Sequence, residues 1–344
     1  MSPHIETLSP AREALWDSFV DQHPNSTCYH HRAWQTAARQ AYGIETPSLI
    51  ALGDAGEIQG ALPLFLIDNL LFRYAVTGIF GAYGQVLTAS NDVRFALLSE
   101  ASRIALARRT RHLLHKTLGE EPLASGWTTR QAAVTATLSL LGGPDALWKG
   151  FRGEIRNRVR KAEKSGLEVH VGRALLPDFY EVLAANMHRK GTPIYGLPFI
   201  SSLLDGFKDR ACIMTLRLKS ETVAGALLVE HRGVVNVPFI SSLHSAVAIA
   251  PNNLLYWEII KRSCERGQRV LDFGRSFLNS SNLDFKIRWG AEVIPQPFHF
   301  VHRGAPPRMD PGDAVVMKVV ELWKRLPRGV ADRLGPFICG RFLV

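Results

Sequence analysis

The sequence has few cysteines, and they form no recognisable pair. The 4 cysteines among 344 residues are far apart and show no C-x-x-C spacing: Cys28, Cys212, Cys264 and Cys339. This pattern indicates neither a zinc knuckle nor a disulfide framework, and we expect no metal site. Long apolar runs are also missing, because residues 61–84 are interrupted by Pro63, Asp68 and several glycines. The region falls short of the ~18 uninterrupted apolar residues of a membrane-spanning helix.

Several motifs of other protein classes are incomplete. A glycine-rich segment contains Gly78, Gly81 and Gly84 but no G-K-[ST] motif. It therefore predicts a connection between strands rather than a phosphate-binding loop. The sequence DFG at 272–274 also occurs in protein kinases, but neither a glycine-rich loop nor an H-R-D segment precedes it here, so it does not indicate a kinase. No Ser-His-Asp or Cys-His spacing indicates a covalent nucleophile. Residues 1–19 contain no apolar core of a secretory signal, so we expect a cytoplasmic protein.

The composition favours two domains and an anionic partner. With 46% hydrophobic residues, a chain of 344 residues can form two cores of ordinary domain size. The 41 Lys and Arg exceed the 31 Asp and Glu, which gives a formal charge of +10 and a pI near 9.7. Such a balance suits a nucleotide, tRNA, lipid phosphate or anionic membrane, although solvated basic faces explain it equally well.

Hydrophobic periodicity predicts a similar order of elements in both halves of the chain. In the first half we expect helices, short strands, a helix and a strand, over 10–21, 31–42, 48–52, 60–65, 72–76, 92–108 and 133–141. In the second half we expect helices, strands, a helix and a strand, over 147–165, 176–189, 211–218, 224–230, 234–240, 250–266 and 270–273.

This repeated order predicts an α+β fold of two related units rather than one doubly wound sheet. We place an N-terminal unit at residues 1–143 and a C-terminal unit at 144–303. We expect residues 304–344 to form a turn-rich linker and a basic amphipathic helical tail, with the helix over 314–326.

The most informative stretch covers residues 250–290. It is predicted to form a helix, a short buried strand, a polar Gly/Ser/Asn loop and a cationic segment. Asp272, Arg275 and Lys286 are the polar groups near the exit of the strand. Catalytic side chains are often presented on loops in this way by a rigid scaffold.

This stretch resembles the C-terminal half of FemAB-like proteins, whose GNAT-type acyltransferase fold has a DFG strand followed by an F-K-x-x-W/F-G segment. MHRKGTPIYGLPF at 187–199 and APNNLLYWE at 250–258 resemble the branch associated with exosortase and extracellular-polysaccharide loci. The N-terminal half also resembles the family, but in motifs of low specificity: HPNSTCYHHRAWQ, GEIQGALPLFL and GAYGQVL. The loop RSFLNSSNLD departs from it, being rich in Ser and Asn where relatives tend towards glycine and an aromatic. The resemblance implies tandem GNAT-like units with mixed, largely antiparallel sheets and a cleft in the C-terminal unit.

The residues and the resemblance together give a set of candidate site residues. We assign Lys286 to the oxyanion or to a donor phosphate, Asp272 to orienting the amine or holding the cationic pair, and Tyr256 to a proton relay. Aromatic residues on such a helix are more often core residues. The expected substrate-binding residues are His188, Arg189, Lys190, Tyr195, Asn253, Arg275 and Trp289.

A cationic stripe is a second candidate binding feature. One predicted helix face carries a cation at every fourth position: Arg152, Arg156, Arg160 and Lys164. Like charges at this spacing repel, so the stripe suggests a bound polyanion. A solvated helix, in which Glu154 and Glu163 offer partial pairing, is an equally good explanation.

The resemblance implies an N-acyltransferase or aminoacyltransferase that modifies an amino group of a polysaccharide or cell-envelope precursor. The donor is acyl-CoA or aminoacyl-tRNA, no cofactor is permanently bound, and the amine attacks directly. The tail helix either lies on the cytoplasmic face of an anionic membrane or packs its apolar side on a domain. The alternative function is a non-catalytic binding or scaffold protein of an exopolysaccharide or protein-sorting export pathway. We expect no sequence-specific DNA binding, because the stripe lacks interleaved aromatic residues.

Overall fold

A computed structural model describes residues 3–68, 73–302 and 314–342. The α-helices of these ranges are α1 (Glu13–Gln22), α2 (Arg32–Tyr42), α3 (Asn91–Ala107), α4 (Gly143–Gly150), α5 (Gly153–Glu163), α6 (Leu176–Lys190), α7 (Leu197–Phe207), α8 (Pro251–Glu265), α9 (Ser281–Arg288), α10 (Ala314–Arg325) and α11 (Arg328–Phe342). The strands are β1 (His4–Thr7), β2 (Leu49–Leu52), β3 (Ile58–Leu62), β4 (Phe65–Asp68), β5 (Arg73–Val76), β6 (His112–Lys116), β7 (Thr128–Ser139), β8 (Leu167–Val171), β9 (Ala211–Leu218), β10 (Glu221–His231), β11 (Val234–Ser242), β12 (Val270–Phe277) and β13 (Glu292–His302).

The strands form a large sheet and a small one. The small sheet has the order β1-β2-β3, and the ten-stranded sheet has the order β4-β5-β6-β13-β7-β12-β11-β10-β9-β8. Within the large sheet β5 and β6 are parallel, as are β11 and β12, whereas the other neighbouring strands are antiparallel. β13 lies between β6 and β7, so a strand from the end of the second half completes the sheet of the first half.

Alternating side chains of the large sheet build a separate core on each face. On one face, Leu227 and Val229 of β10 pack in the cluster formed with α2, α6 and α7. On the other face, Ala226 and Leu228 of the same strand pack in the cluster formed with α5 and α8. Helix α3 covers the far end of the large sheet and the small sheet. Both faces of the middle strands are therefore buried, and a polar group there needs a protein partner or a cavity.

The predicted α+β fold, with mixed, largely antiparallel strands and a helical tail, is confirmed. Several elements differ from expectation. The helix predicted over 147–165 is two helices, separated at Phe151 and Arg152, and α7 was not predicted. Strand β13 was missed because Pro295 and Pro297 usually interrupt strands. Residues of α9 were predicted as the end of a polar loop and a cationic segment. They form a helix, which the Ser280 side chain caps by accepting a hydrogen bond from the Leu283 N–H at 3.2 Å.

The division at residue 143 coincides with the start of α4 and remains a prediction. In the described ranges, the helices include none that is both long and apolar enough to cross a membrane.

Candidate active site

A cavity opens where two parallel strands of the large sheet diverge. Strands β11 and β12 pair over three positions only, and the last pair joins Asn236 to Asp272. Beyond this pair the strands separate and leave a cavity of about 220 Å³. Residues 237–241 of β11 and 273–275 of β12 form two of its walls. Helices α6, α8 and α9 close the remaining sides, with these lining residues: Leu183, Asn186, Met187, Lys190, Tyr256, Asn282 and Lys286.

Lys286 is buried at the base of this cavity. Its Nζ donates to the backbone carbonyl oxygens of Gly274 at 2.7 Å and Arg275 at 3.2 Å. An ammonium group has three N–H donors, so one remains for a ligand in the cavity. Burial lowers the pKa of Lys286 to about 8, nearby Asp272 opposes this shift, and the Arg275 charge adds to it. A lysine with this pKa is still mostly protonated at neutral pH and can donate to a developing oxyanion.

Gly274 gives the strand the shape that Lys286 requires. Its φ of +77° lies in the left-handed region, which favours glycine. A Cβ at this position would lie 3.2 Å from the carbonyl oxygen of Val237, on the neighbouring strand. The pairing of β12 with β7 shifts register between Asp272 and Arg275, which marks a bulge at this point. The bulge turns two successive carbonyl groups towards the Lys286 ammonium.

Asp272 supports the bulge but does not line the cavity with Lys286. Its Oδ1 accepts hydrogen bonds from the Gly274 N–H at 2.8 Å and the Thr135 hydroxyl at 2.7 Å. Its Oδ2 accepts one from the Tyr83 hydroxyl at 3.0 Å. The carboxylate instead borders a separate cavity of about 410 Å³, together with Tyr83 and Thr137. Asp272 and Lys286 were both assigned to one site, but they do not line the same cavity, because the Asp272 carboxylate is held by Tyr83, Thr135 and the Gly274 N–H.

Arg275 brings a second cation to the cavity of Lys286. Its guanidinium lies 5.2 Å from the ring centre of Phe277. Burial lowers its pKa, and no carboxylate in the described part of the chain pairs with it. Arg275 is half-buried, and a partly desolvated guanidinium without an acidic partner is costly, so an anionic ligand would offset that cost.

The end of α6 meets the expectation only in part. Lys190 lines the cavity, and Tyr195 lies on the same wall. Arg189 is not among the lining residues, and its guanidinium donates to Oδ1 of Asn186, which does line the cavity, at 3.0 Å. His188 lies against the tail, where its Nε2 is 3.0 Å from the Leu326 carbonyl oxygen. Of the three adjacent cations, one reaches the cavity.

Tyr256, Trp289 and Asn253 occupy three different settings. Tyr256 lines the cavity, and burial raises its pKa, so its hydroxyl stays protonated. The Trp289 indole is buried among aromatic rings, with Phe151 at 5.0 Å between ring centres. Asn253 is buried in α8 and is not among the lining residues of the cavity. Only Tyr256 of these three is placed to contact a ligand there.

The cationic stripe divides into two kinds of residue. The Arg156 guanidinium donates to the carbonyl oxygens of Lys149 at 2.9 Å and Phe151 at 2.7 Å, and so caps the end of α4. Arg160 lies over the Trp148 ring, 5.6 Å from its centre. Arg152 and Lys164 are exposed at the two ends of α5.

Several lining residues escaped the sequence interpretation. Asn186 donates to the Ser241 hydroxyl at 2.9 Å, and Asn282 donates to the Ser276 hydroxyl at 3.2 Å. The Ser- and Asn-rich loop before α9 was the one available signal for Asn282. No group of three or more possible metal ligands occurs among the residues that the structure describes.

Comparison with known proteins gives a domain match and several structural neighbours. Residues 149–286 match the family model of an acetyltransferase (GNAT) domain. FemX is 15% identical, with a TM-score of 0.63 over 94% of this chain and 100% of that one. The C-terminal domain of a putative lysylphosphatidylglycerol synthetase from Agrobacterium fabrum is 10% identical, with a TM-score of 0.58 over 98% and 100%. A tandem GNAT protein from the clavulanic acid biosynthesis pathway is 12% identical, with a TM-score of 0.56 over 89% and 100%. A search of curated proteins finds no significant match.

At these identities the structural neighbours establish the fold alone. The domain match assigns residues 149–286 to an acetyltransferase (GNAT) domain, so the chain contains a domain of the acyltransferase class. The likeness to FemX and to the tandem GNAT protein shows a fold of two GNAT-like units.

Proposed function

We propose that this protein transfers an acyl or aminoacyl group to an amino group of a polysaccharide or lipid-linked cell-envelope precursor, in the cavity between β11 and β12. The observation that carries the proposal is the charge of this cavity. Lys190, Arg275 and Lys286 line it, and none of its described lining residues is Asp or Glu. A site with this composition favours substrates that carry phosphate or carboxylate groups.

Acyl-CoA and aminoacyl-tRNA both meet the charge requirement for the donor. The acceptor meets it when its amino sugar is linked to a phosphate or bears a carboxylate. The resemblance to the exosortase-associated branch supports an acceptor from an exopolysaccharide pathway, located at the cytoplasmic face of the membrane. FemX and the lysylphosphatidylglycerol synthetase domain share the fold, and the latter's name refers to an aminoacylated lipid.

The chemistry we propose is direct aminolysis. The neutral amine of the acceptor attacks the acyl carbonyl carbon, a C–N bond forms, and the carbonyl oxygen becomes an oxyanion. The free N–H of Lys286 donates to that oxyanion. The bond from the acyl carbon to the thiol or ester oxygen then breaks, and the leaving group takes up the proton that the amine loses. The Tyr256 hydroxyl, which stays protonated, is a second donor within the same cavity.

The first experiment identifies the substrates. Ligands that co-purify with the protein are identified by mass spectrometry, and the protein is then incubated with labelled acyl-CoA or aminoacyl-tRNA and an amino-sugar acceptor. We expect transfer by the wild type and its loss in Lys286→Ala. Lys261→Ala is the matched control, because Lys261 is a partly exposed lysine of α8 that pairs with Glu258.

Two results would count against the proposal. A covalent acyl-protein trapped during turnover would contradict direct attack. Persistent capture of a ligand with no transfer from either donor would favour a binding protein instead.

A further inference from the structure

The tail helix α11 is docked on one side and leaves an apolar stripe on the other. Ala331 and Cys339 are buried, and the Cys339 thiol lies 3.2 Å from the carbonyl oxygen of Ile194. On the outer side, large apolar side chains recur at positions i, i+4 and i+7 and are 43%, 44% and 47% exposed: Val330, Leu334 and Phe337. Because the helix is already anchored by its buried side, this stripe is not needed for its packing.

Helix α10 shows the same division. Trp323 is buried, whereas Val319 and Leu322 are 59% and 66% exposed. The two explanations weighed for the tail therefore do not compete, since one side packs on the protein while apolar side chains remain in solvent. Exposed apolar groups that recur along neighbouring helices mark a surface for a partner.

The charges around this surface are mainly basic and favour an anionic partner. Residues 314–341 contain six Lys or Arg and two Asp or Glu. The Arg341 guanidinium lies 3.9 Å from the ring centre of Phe337, and Arg333 directly precedes Leu334. A second copy of the chain, with the same formal charge of +10, would be repelled at such a surface. A surface that carries phosphate groups above an apolar layer complements both properties.

We infer that α10 and α11 dock the protein on an anionic phospholipid bilayer, and that the stripe of Val330, Leu334 and Phe337 enters the boundary between headgroups and acyl chains. The basic side chains contact lipid phosphates. The helices lie on the bilayer, and the docking does not require catalysis.

This docking places the candidate cavity near the lipid surface. Val320 of α10 packs so closely on the end of α6 that a Cβ on Gly191 would come within 2.6 Å of its Cγ1. Gly191 directly follows Lys190, which lines the cavity. A bilayer held by the tail is therefore within reach of the site, as a lipid-linked acceptor requires. This last link rests on the proposed function, whereas the docking does not.

Vesicle flotation tests the inference without donor or acceptor. Full-length protein is mixed with vesicles of phosphatidylcholine alone, or of phosphatidylcholine with a third of phosphatidylglycerol. We expect the wild type to float with the anionic vesicles and to be released by salt, because screening shortens the Debye length from about 10 Å at 0.1 M to about 3 Å at 1 M. The double variant Leu334→Ser/Phe337→Ser should lower the partition coefficient by about tenfold or more.

The matched control is Leu141→Ser, which removes an exposed leucine located outside the tail and should bind as the wild type does. Thermal unfolding of the double variant confirms that it remains folded. Equal flotation with neutral and anionic vesicles, or unchanged binding by the double variant, would overturn the inference. A wild-type dimer that the double variant converts to monomer would also overturn it, because a second copy would then cover the stripe. Vesicle binding without any transfer would leave the docking intact and refute only the enzyme proposal.

Discussion

The Tyr83 hydroxyl donates a hydrogen bond to Oδ2 of Asp272 at 3.0 Å, and this bond joins the two halves of the chain beside the candidate site. Tyr83 lies in the connection after β5, whereas Asp272 lies in β12 at the last pair before the strands diverge. The Asp272 carboxylate also accepts a hydrogen bond from the Gly274 N–H, and the Gly274 carbonyl oxygen accepts one from the Lys286 ammonium. A residue of the first half thus positions the lysine of the second half.

We expect Tyr83→Phe to lower kcat while the substrate KM changes little, because the substitution removes one of three donors that fix a buried carboxylate. Losing such a donor costs about 1–3 kcal/mol of unfolding free energy. Denaturant unfolding and steady-state kinetics measure both effects. Tyr74→Phe is the control, since its hydroxyl contacts the Arg341 carbonyl away from the cavity. A kcat equal to that of the wild type would remove the positioning role.

The pH profile tests the role of Lys286. The proposed donor is the ammonium form, and burial lowers the pKa of Lys286 to about 8. Activity should therefore fall as the pH rises through about 8, after a rise at lower pH that reflects deprotonation of the acceptor amine. Lys286→Arg keeps its charge at high pH, so any remaining activity should lack this decline. Lys286→Ala should reduce kcat by roughly 100-fold or more, the usual effect of losing an oxyanion donor.

If the activity of Lys286→Arg still declined near pH 8, the titrating group would be one other than Lys286. The donor role would then be withdrawn from Lys286, although the cavity would remain.

Arg275 should determine affinity for the anionic part of a substrate. Arg275→Gln removes the charge and keeps hydrogen-bonding capacity, and we expect KM to rise by about 10-fold to 100-fold with a smaller change in kcat. Arg217→Gln serves as control, because this arginine pairs with Asp178 on the surface of β9. The increase should shrink at high salt if the lost interaction is electrostatic. An unchanged KM would show that the anion is bound elsewhere.

We expect opposite effects from substitutions at Arg156 and at the pair Arg152 and Lys164 of the cationic stripe. Arg156→Ala should destabilise the protein by about 1 kcal/mol, because it leaves carbonyl groups at the end of α4 without their donor. Arg152→Glu together with Lys164→Glu should leave stability nearly unchanged and weaken binding of tRNA or another polyanion. Unfolding curves and filter binding separate the two effects. Unaltered polyanion binding in the double charge reversal would identify the stripe as a solvated face.

Much of the candidate site could be predicted from the sequence, because its residues lie in short continuous motifs. The stretches 187–199 and 250–290 supplied four of the residues that line the cavity: Lys190, Tyr195, Arg275 and Lys286. Local pattern was sufficient there, since a helix end and a strand exit can be recognised within a few residues.

The orientation of Asp272 could not be predicted in the same way. It depends on the bulge at Gly274 and on pairing with β7, more than 130 positions earlier in the sequence. The roles of Tyr83 and Thr135 as its donors depend on the same long-range pairing. Arg189 was assigned to the site from the resemblance, but the structure places it behind the lining residue Asn186, to which it donates a hydrogen bond.

The position of β13 between β6 and β7 also affects how the chain is made. About 150 residues of chain separate the end of β7 from the start of β13. At a ribosomal rate of about 5–20 residues per second, synthesis of this segment takes roughly 10–30 s, and β13 is not available to pair with β6 and β7 until it is complete. For most of that interval the nascent first half exposes one edge of β6 and both edges of β7, because β12 is also still to be made, and unpaired edges favour intermolecular pairing. Chaperone demand during translation should therefore be greatest before the last fifth of the polypeptide emerges, and a ribosome that stalls there would release an aggregation-prone fragment.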